Sequence, residues 1–335
     1  MIIFFLSVFL LNLIFLLKFD YISSLLNLFD KPSKIKIHKN KIPCFGGIIF
    51  LFNISLFIIF LFFVNNNPEL SKKYSIFLNE DFYASLRAGI SLFLITIFLF
   101  LLGFLDDRLK ISANKKLFFQ LFFCMVAVLV DENLIIKSLK FSNGYEIELY
   151  NLSIIFTILC FLIFINALNM FDGINNQVSL YIFILSAYVL FKINNLYFIY
   201  VLIIANFYFF YFNYQNRLFL GDNGSLIIGY LFANLLTKSH NLDKGIFADE
   251  IVVLMFFPVM DLLRLFIKRV LLNRHPFSGD LNHLHHRLKK RYGCKITNFL
   301  IPTSIISSLI MFQLNAFFGL SIIFISYFTL ITKSK

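Results

Sequence analysis

The sequence predicts an all-α polytopic membrane protein of eleven transmembrane helices, N-terminus outside and C-terminus cytoplasmic, forming one domain over residues 1–335. Three observations predict it. Of its 335 residues, 59% are hydrophobic and only 14% charged, against about half and a quarter in soluble domains. Apolar runs approaching the ~20 residues of a bilayer helix recur from end to end. Most of the 30 Lys and Arg residues fall in one alternate set of the loops between those runs. The lack of Trp and the 48 Phe residues read as compositional bias and carry no function.

In order, the runs lie at about 2–17, 44–64, 87–105, 117–130, 152–168, 178–192, 196–213, 226–236, 251–267, 298–312 and 316–332. The first lacks the basic leader and small-residue cleavage site of a signal peptide, so it counts as a span. The eighth is the shortest. Basic residues such as Lys31–Lys41, Arg108–Lys116 and Arg287–Arg291 mark the cytoplasmic side. The net charge of +12 then reflects topology and attraction to anionic lipid. No recognition module accompanies it, which argues against a nucleic-acid partner. Cys44, Cys124, Cys160 and Cys294 have neither disulfide nor metal spacing and read as free thiols.

The external loops Asn65–Ser85 and Asp131–Asn151 are mixed in charge and read as solvated connectors, with alternation over Tyr145–Tyr150 suggesting a short strand or hairpin. The cytoplasmic loops differ. Five carry dense polar clusters at span ends: Asp30–Gly47, Gly103–Lys116, Asn166–Asn176, Gly221–Ser225 and His275–Arg291. Acids and amides at the lip of a membrane helix are costly without partners or ligands, so their gathering on one face predicts a single site at the membrane surface.

Singly, each cluster has a structural reading. Asp106-Asp107-Arg108 could end a helix in solvent, and GDNGS could be a tight turn with Gly224 or Asn223 at positive φ. The segment Asn166–Asn176 could be a turn of backbone-bonding amides. His283, His285 and His286 could bind zinc, although HxHH lacks i, i+4 spacing. Together they indicate phosphoryl transfer. Asp106, Asp107, Asp172 and Asp222, with Asn166, Asn169 and Asn175, offer hard oxygen ligands of the kind Mg²⁺ takes. Lys116, Arg264, Arg269, Arg287 and the histidines offer cationic donors to phosphate. A helical HLHH stretch would put His283, His286 and Arg287 on one face. A membrane transporter, the rival class, should show polar groups near mid-bilayer and related halves; the acids crowd one lip and no repeat is visible.

Five motifs in order on the same side complete the reading: GFLDD (Gly103–Asp107), NALNMFDGINN (Asn166–Asn176), FLGDNGS (Phe219–Ser225), Pro258 with Asp261 and Arg264, and the stretch from Pro276 to Leu288 ending in HLHHRL. From about Asp30 to Arg291 the chain resembles the polyprenyl-phosphate N-acetylhexosamine-1-phosphate transferases of glycosyltransferase family 4. The resemblance implies a multi-pass enzyme of the bacterial inner (cytoplasmic) membrane, in which undecaprenyl phosphate attacks the sugar-bearing phosphorus of a UDP-N-acetylhexosamine, UDP-GlcNAc or a relative. Products would be a lipid-diphosphate sugar, initiating an envelope polysaccharide, and UMP. It implies Mg²⁺, with Mn²⁺ as an alternative, on the diphosphate.

The same resemblance makes Asp222 the leading metal ligand, with Asn169 second. Asp106 becomes base or nucleophile near the lipid phosphate, with Asp107 its partner. Asn166, Asp172 and Asn175 would line the uridine side, and His283, His285, His286 and Arg287 would engage diphosphate or sugar. Lys116 and Arg264 would bind phosphate. Partners are the two substrates and membrane lipid, with a homodimer left open. Two departures stand out. Asn175 and Asn176 replace an acid and a glycine of the family's DGxDG, an exchange eased because an amide still bonds a base edge and Asn tolerates αL backbone. HLHH in place of the peptidoglycan enzymes' HHH-type loop favours a sugar without attached peptide, leaving phospho-MurNAc-pentapeptide translocase as the alternative.

Overall fold

Lipid selects for apolar side chains whatever the tertiary packing, so the hydrophobic runs reappear as helices. A computed structural model describes residues 2–30, 41–74, 82–83, 85–193, 196–274, 276 and 281–334. Its helices are α1 (Ile2–Leu17), α2 (Phe19–Leu26), α3 (Gly46–Asn66), α4 (Pro68–Lys73), α5 (Leu86–Leu109), α6 (Ala113–Val130), α7 (Ser153–Phe171), α8 (Gln177–Lys192), α9 (Tyr197–Tyr214), α10 (Asp222–Asn241), α11 (Ala248–Leu271), α12 (Leu284–Leu314) and α13 (Ala316–Lys333). Each apolar run falls on one of these.

Among the described residues, seven helices are long and apolar enough to cross a membrane: α3, α5, α6, α7, α9, α12 and α13. An eighth is added if α1 and α2, bent by 70°, count as one broken span. The shortfall against eleven falls on α8, which is short, and on α10 and α11, which carry polar and charged residues. This is an all-α polytopic membrane architecture.

One of the more polar helices, α10, is also the most enclosed. Every residue of α10 from Asn223 to His240 is buried, so it faces protein rather than lipid and can keep groups that hydrocarbon would reject. Asn234 accepts a hydrogen bond from the Tyr83 hydroxyl at 2.9 Å. Small residues let the neighbours close in: a Cβ on Gly229 would lie 2.6 Å from Ile165 Cα of α7, and one on Gly103 of α5 would lie 2.4 Å from the Asp222 carbonyl oxygen. On the flank, Asn12 and Asn53 exchange side-chain hydrogen bonds of 2.8 Å, tying α1 to α3. Gly293, at φ 82°, kinks α12.

Two small antiparallel pairs complete the chain, β1 (Phe29–Asp30) with β2 (Ile42–Pro43) and β3 (Ser138–Lys140) with β4 (Glu146–Glu148). The second is the hairpin expected from the alternation near Tyr145. The solvated-connector reading of Asp131–Asn151 needs correction, because this segment is docked onto the ends of α10 and α11. Asp131 and Lys238, 6% and 1% exposed, pair at 2.6 Å. The Ser142 hydroxyl and backbone amide donate to Asp249, and Lys140 pairs with Asp243. Long-range partners, invisible in loop composition, made the difference.

Candidate active site

Three connections deliver the acids to one end of α10. The last turn of α5 brings Asp106 and Asp107, and the first turn of α6 brings Lys116. The end of α7 brings Asn169, and Asp172 caps it.

The GDNGS stretch is a helix start. Gly221 takes the positive φ, 73°, and Asp222 to Ser225 form the first turn of α10. This moves the left-handed position from Gly224 or Asn223 to Gly221. The shift has a steric cause: a Cβ at Gly221 would meet Asn223 Nδ2 at 2.6 Å and Asp107 Oδ2 at 2.8 Å. A glycine has no side chain with which to cap the helix, and Asp107 of α5 supplies one. Its Oδ1 accepts from the Asp222 amide at 3.1 Å; its Oδ2 accepts from the Asn223 amide at 3.1 Å and from Asn223 Nδ2 at 2.7 Å. Both oxygens of Asp107 are thus engaged in holding the α10 terminus, where a helix dipole favours negative charge.

Asp222 itself turns to the other acids. Its Oδ2 lies 2.5 Å from Lys116 Nζ, which also lies 3.0 Å from Asp106 Oδ2. Its Oδ1 accepts from Asn169 Nδ2 at 2.8 Å, and the same nitrogen reaches Ser225 Oγ at 2.8 Å. Burial opposes the charge on Asp222, but the Lys116 ammonium and hydrogen bonds from Asp106, Lys116 and Asn169 hold its carboxyl well below the usual carboxylate range. Asp172 behaves oppositely. Burial, then the negative charges of Asp222 and Asp107, push it up to about 7. Among the described residues no ion pair reaches Asp172 or Asp107, so the cluster carries more negative charge than Lys116 offsets.

The HLHH stretch approaches from α11 and α12. His283 caps α12 rather than joining it, so the helical face expected for His283, His286 and Arg287 begins one residue later, at Leu284. Asp261 fixes this corner, accepting from the Leu284 amide at 3.1 Å and pairing with His283 Nδ1 at 2.8 Å and with Arg264 at 2.6 Å. Arg264 also donates to Tyr327 and to the Asn282 carbonyl. His285 is 1% exposed, and among the described residues neither of its ring nitrogens has a hydrogen-bond partner. It rests on Gly173, where a Cβ would lie 1.9 Å from Nε2, which seats the histidine corner directly beside Asp172. The rings of His285 and His286 lie 4.3 Å apart.

Asp106, Asp107, Lys116, Asn169, Asp172 and Asp222 therefore converge, with His285 adjoining. Other expected residues sit apart from the acids. Asn166 donates to Gln120 Oε1 and the Leu162 carbonyl, each at 2.8 Å, linking α7 to α6. Asn175 bonds Asn216, and its carbonyl accepts from Asn298. Arg287 reaches toward the Ile331 carbonyl of α13, and Arg269 donates to the Pro276 carbonyl. Asn176 takes the left-handed conformation expected of it, φ 66°. Phe277–Asp280, part of the last motif, lies outside the described residues. Sequence reasoning gave Asn223 only a turn role and gave Ser225 and Gly173 none, their signal being membership of the two aspartate motifs.

The segment that builds this cluster is the one that matches a known family. Residues 89–240, from α5 to the end of α10, match the glycosyl transferase family 4 profile. Over this segment the chain is similar to that family. Similarity to individual members extends further. It is 25% identical over 268 residues, 79% of this chain and 74% of the relative, to an undecaprenyl-phosphate alpha-N-acetylglucosaminyl 1-phosphate transferase of Thermotoga maritima. It is 24% identical over 268 residues, 77% and 69% of the two chains, to a probable undecaprenyl-phosphate N-acetylglucosaminyl 1-phosphate transferase of Bacillus subtilis. A shorter stretch of 87 residues, 22% of each chain, is 36% identical to a decaprenyl-phosphate N-acetylglucosaminephosphotransferase of Mycobacterium tuberculosis. The chain is thus a multi-pass membrane protein similar to these transferases, and Asp106, Asp107, Lys116, Asn169, Asp172 and Asp222 all lie in the matched segment.

Proposed function

We propose that this transferase moves N-acetylhexosamine 1-phosphate from a UDP-sugar, UDP-GlcNAc or a related UDP-N-acetylhexosamine, to undecaprenyl phosphate, with release of UMP, at the cytoplasmic face of the bacterial inner membrane. The observation that carries the proposal is the meeting of Asp106 and Asp222 about Lys116 at the first turn of α10, with Asp172 near enough to feel the charges of Asp222 and Asp107. The relatives' names support the lipid and the sugar.

The residues fit Mg²⁺, with Mn²⁺ as the alternative. No group of three or more His, Cys, Asp or Glu forms a metal cage among the described residues. Mg²⁺ characteristically takes one or two carboxylates and fills its shell with phosphate oxygens and water. Asp222 would hold it, with the Asn169 amide oxygen as second donor, and the excess negative charge felt by Asp172 is the charge a cation would offset. Bound there, the ion would neutralise the diphosphate.

The chain's own residues supply positioning and electrostatics, which dominate phosphoryl transfer. Lys116, already bridging Asp106 and Asp222, can neutralise a phosphate brought between them. Asp106 orients the attacking lipid phosphate or accepts its proton. One lipid-phosphate oxygen bonds to the sugar-bearing phosphorus, the bridging P–O bond breaks, and UMP leaves with the electron pair; the sugar keeps its anomeric oxygen. His285 and His286 adjoin the Asp172 side, where the donor diphosphate or sugar would lie. Purified protein given undecaprenyl phosphate, Mg²⁺ and a UDP-sugar panel tests this. UMP formation with a UDP-N-acetylhexosamine supports the reading; turnover only with UDP-MurNAc-pentapeptide would move the chain to the translocase branch.

A further inference from the structure

Between the motif's aspartate and second glycine lies Asn223, whose side chain is bonded to the framework of the site on every polar atom. It is 0% exposed. Its Nδ2 donates to Asp107 Oδ2 at 2.7 Å and to the Cys44 carbonyl at 2.8 Å, while its Oδ1 accepts from the Gly47 amide at 3.0 Å. Its backbone amide donates to Asp107 as well. One side chain therefore joins three separate pieces of chain: the turn that enters α3, the last turn of α5 and the first turn of α10.

The fit leaves no slack. A Cβ at Gly47 would lie 2.4 Å from Asn223 Oδ1, and one at Gly221 would lie 2.6 Å from its Nδ2. Glycines on both sides make room for the amide. Only an amide satisfies all three partners, since two are acceptors and one is a donor. An aspartate of the same shape would aim an acceptor at the Asp107 carboxylate and at a carbonyl; alanine would leave a buried carboxylate oxygen, carbonyl and amide short of partners.

We propose that Asn223 is a positioning residue for the metal site: by clamping Asp107 and the α3 entry turn, it fixes the cap of α10 and with it the direction of the adjacent Asp222 carboxylate. This rests on Asp222 holding Mg²⁺, as argued above. Asn223 touches no substrate in this account. Its substitution should weaken cation binding while leaving substrate affinity largely intact.

The test compares wild type, Asn223→Asp and Asn223→Ala, purified in detergent and confirmed monodisperse. Two quantities are read: the Mg²⁺ concentration that half-saturates turnover, and the Mg²⁺ concentration that half-saturates the rise in melting temperature without substrates. Expected is an increase of at least tenfold in both for Asn223→Asp, a smaller increase for Asn223→Ala, and KM values for both substrates within about threefold of wild type at saturating Mg²⁺. Unchanged Mg²⁺ half-saturation in folded variants overturns the proposal, as does a lower kcat at every Mg²⁺ concentration with wild-type half-saturation. If Asn223→Asp does not fold, Asn223→Ala decides by the same readings. A wild type that shows no Mg²⁺ response in either measurement refutes instead the metal assignment beneath it.

Discussion

Asp172→Asn should make the protein more stable while impairing it. Burial, then the charges of Asp222 and Asp107, push Asp172 in the folded site up to about 7 from the ordinary aspartate value of about 3.9, and a tenfold change in proton affinity is worth about 1.4 kcal/mol. Below about pH 4 the carboxyl is protonated folded or unfolded and costs nothing. Between about pH 4 and 7 the unfolded chain has lost this proton and the folded one retains it, so stability falls as pH rises; above 7 the full penalty applies. The ceiling is about 4 kcal/mol, and screening at a side chain that solvent partly reaches reduces it to roughly 2. An uncharged isostere removes the penalty. At pH 8 in chelator, Asp172→Asn should melt on the order of 3–6 °C above wild type. At pH 5 the gain should shrink below about half of that, and Mg²⁺ should narrow it at pH 8 by stabilising wild type. Turnover should fall at least about tenfold. A variant that melts at or below wild type at pH 8, or gains equally at both pH values, would refute the charge-excess account of the site.

Three further outcomes follow from the same geometry. Asp222→Asn should lower turnover by about 10³-fold while the protein still inserts and elutes as a folded species; wild-type activity with Mg²⁺ alone would remove Asp222 from the metal site. Gly103→Ala places a methyl 2.4 Å from the Asp222 carbonyl oxygen, so it should cost about 1–3 kcal/mol by overpacking, read as a lower melting temperature with Asp222 displaced. No change in either stability or activity would contradict the close α5–α10 contact. The basic-loop asymmetry places a reporter fused after Lys335 in the cytoplasm and one inserted near Asn67 outside, and reporters on the same side would require a different number of spans.

How much of this was legible in the sequence depended on what surrounds each residue. Lipid-facing helices announce themselves because hydrocarbon demands apolar side chains along most of their length. Only 226–236 stood out in α10 because its ends are polar and yet buried by protein. The convergence of Asp106, Asp107, Lys116, Asn169, Asp172 and Asp222 was foreshadowed by the polar clusters at the ends of apolar runs. The division of labour between adjacent acids was not. Neighbours on a helix point about 100° apart, so Asp106 faces Lys116 while Asp107 faces the α10 terminus, and nothing in DD says which is which. Likewise His283 could be read as helical until Asp261 was seen to hold it outside the first turn. The β3–β4 hairpin showed in its alternation, whereas its docking depends on Asp243 and Asp249, about a hundred residues away.

In the proposed reaction the lipid phosphate attacks phosphorus rather than the anomeric carbon. Asp106 and Asp222 share a lysine suited to phosphate, the arrangement a phosphoryl transfer needs. Mass spectrometry of the lipid product formed from undecaprenyl phosphate and UDP-GlcNAc, with the released nucleotide identified in the same reaction, tests this most directly. The account predicts a diphosphate-linked sugar and UMP. A monophosphate-linked sugar accompanied by UDP would contradict it.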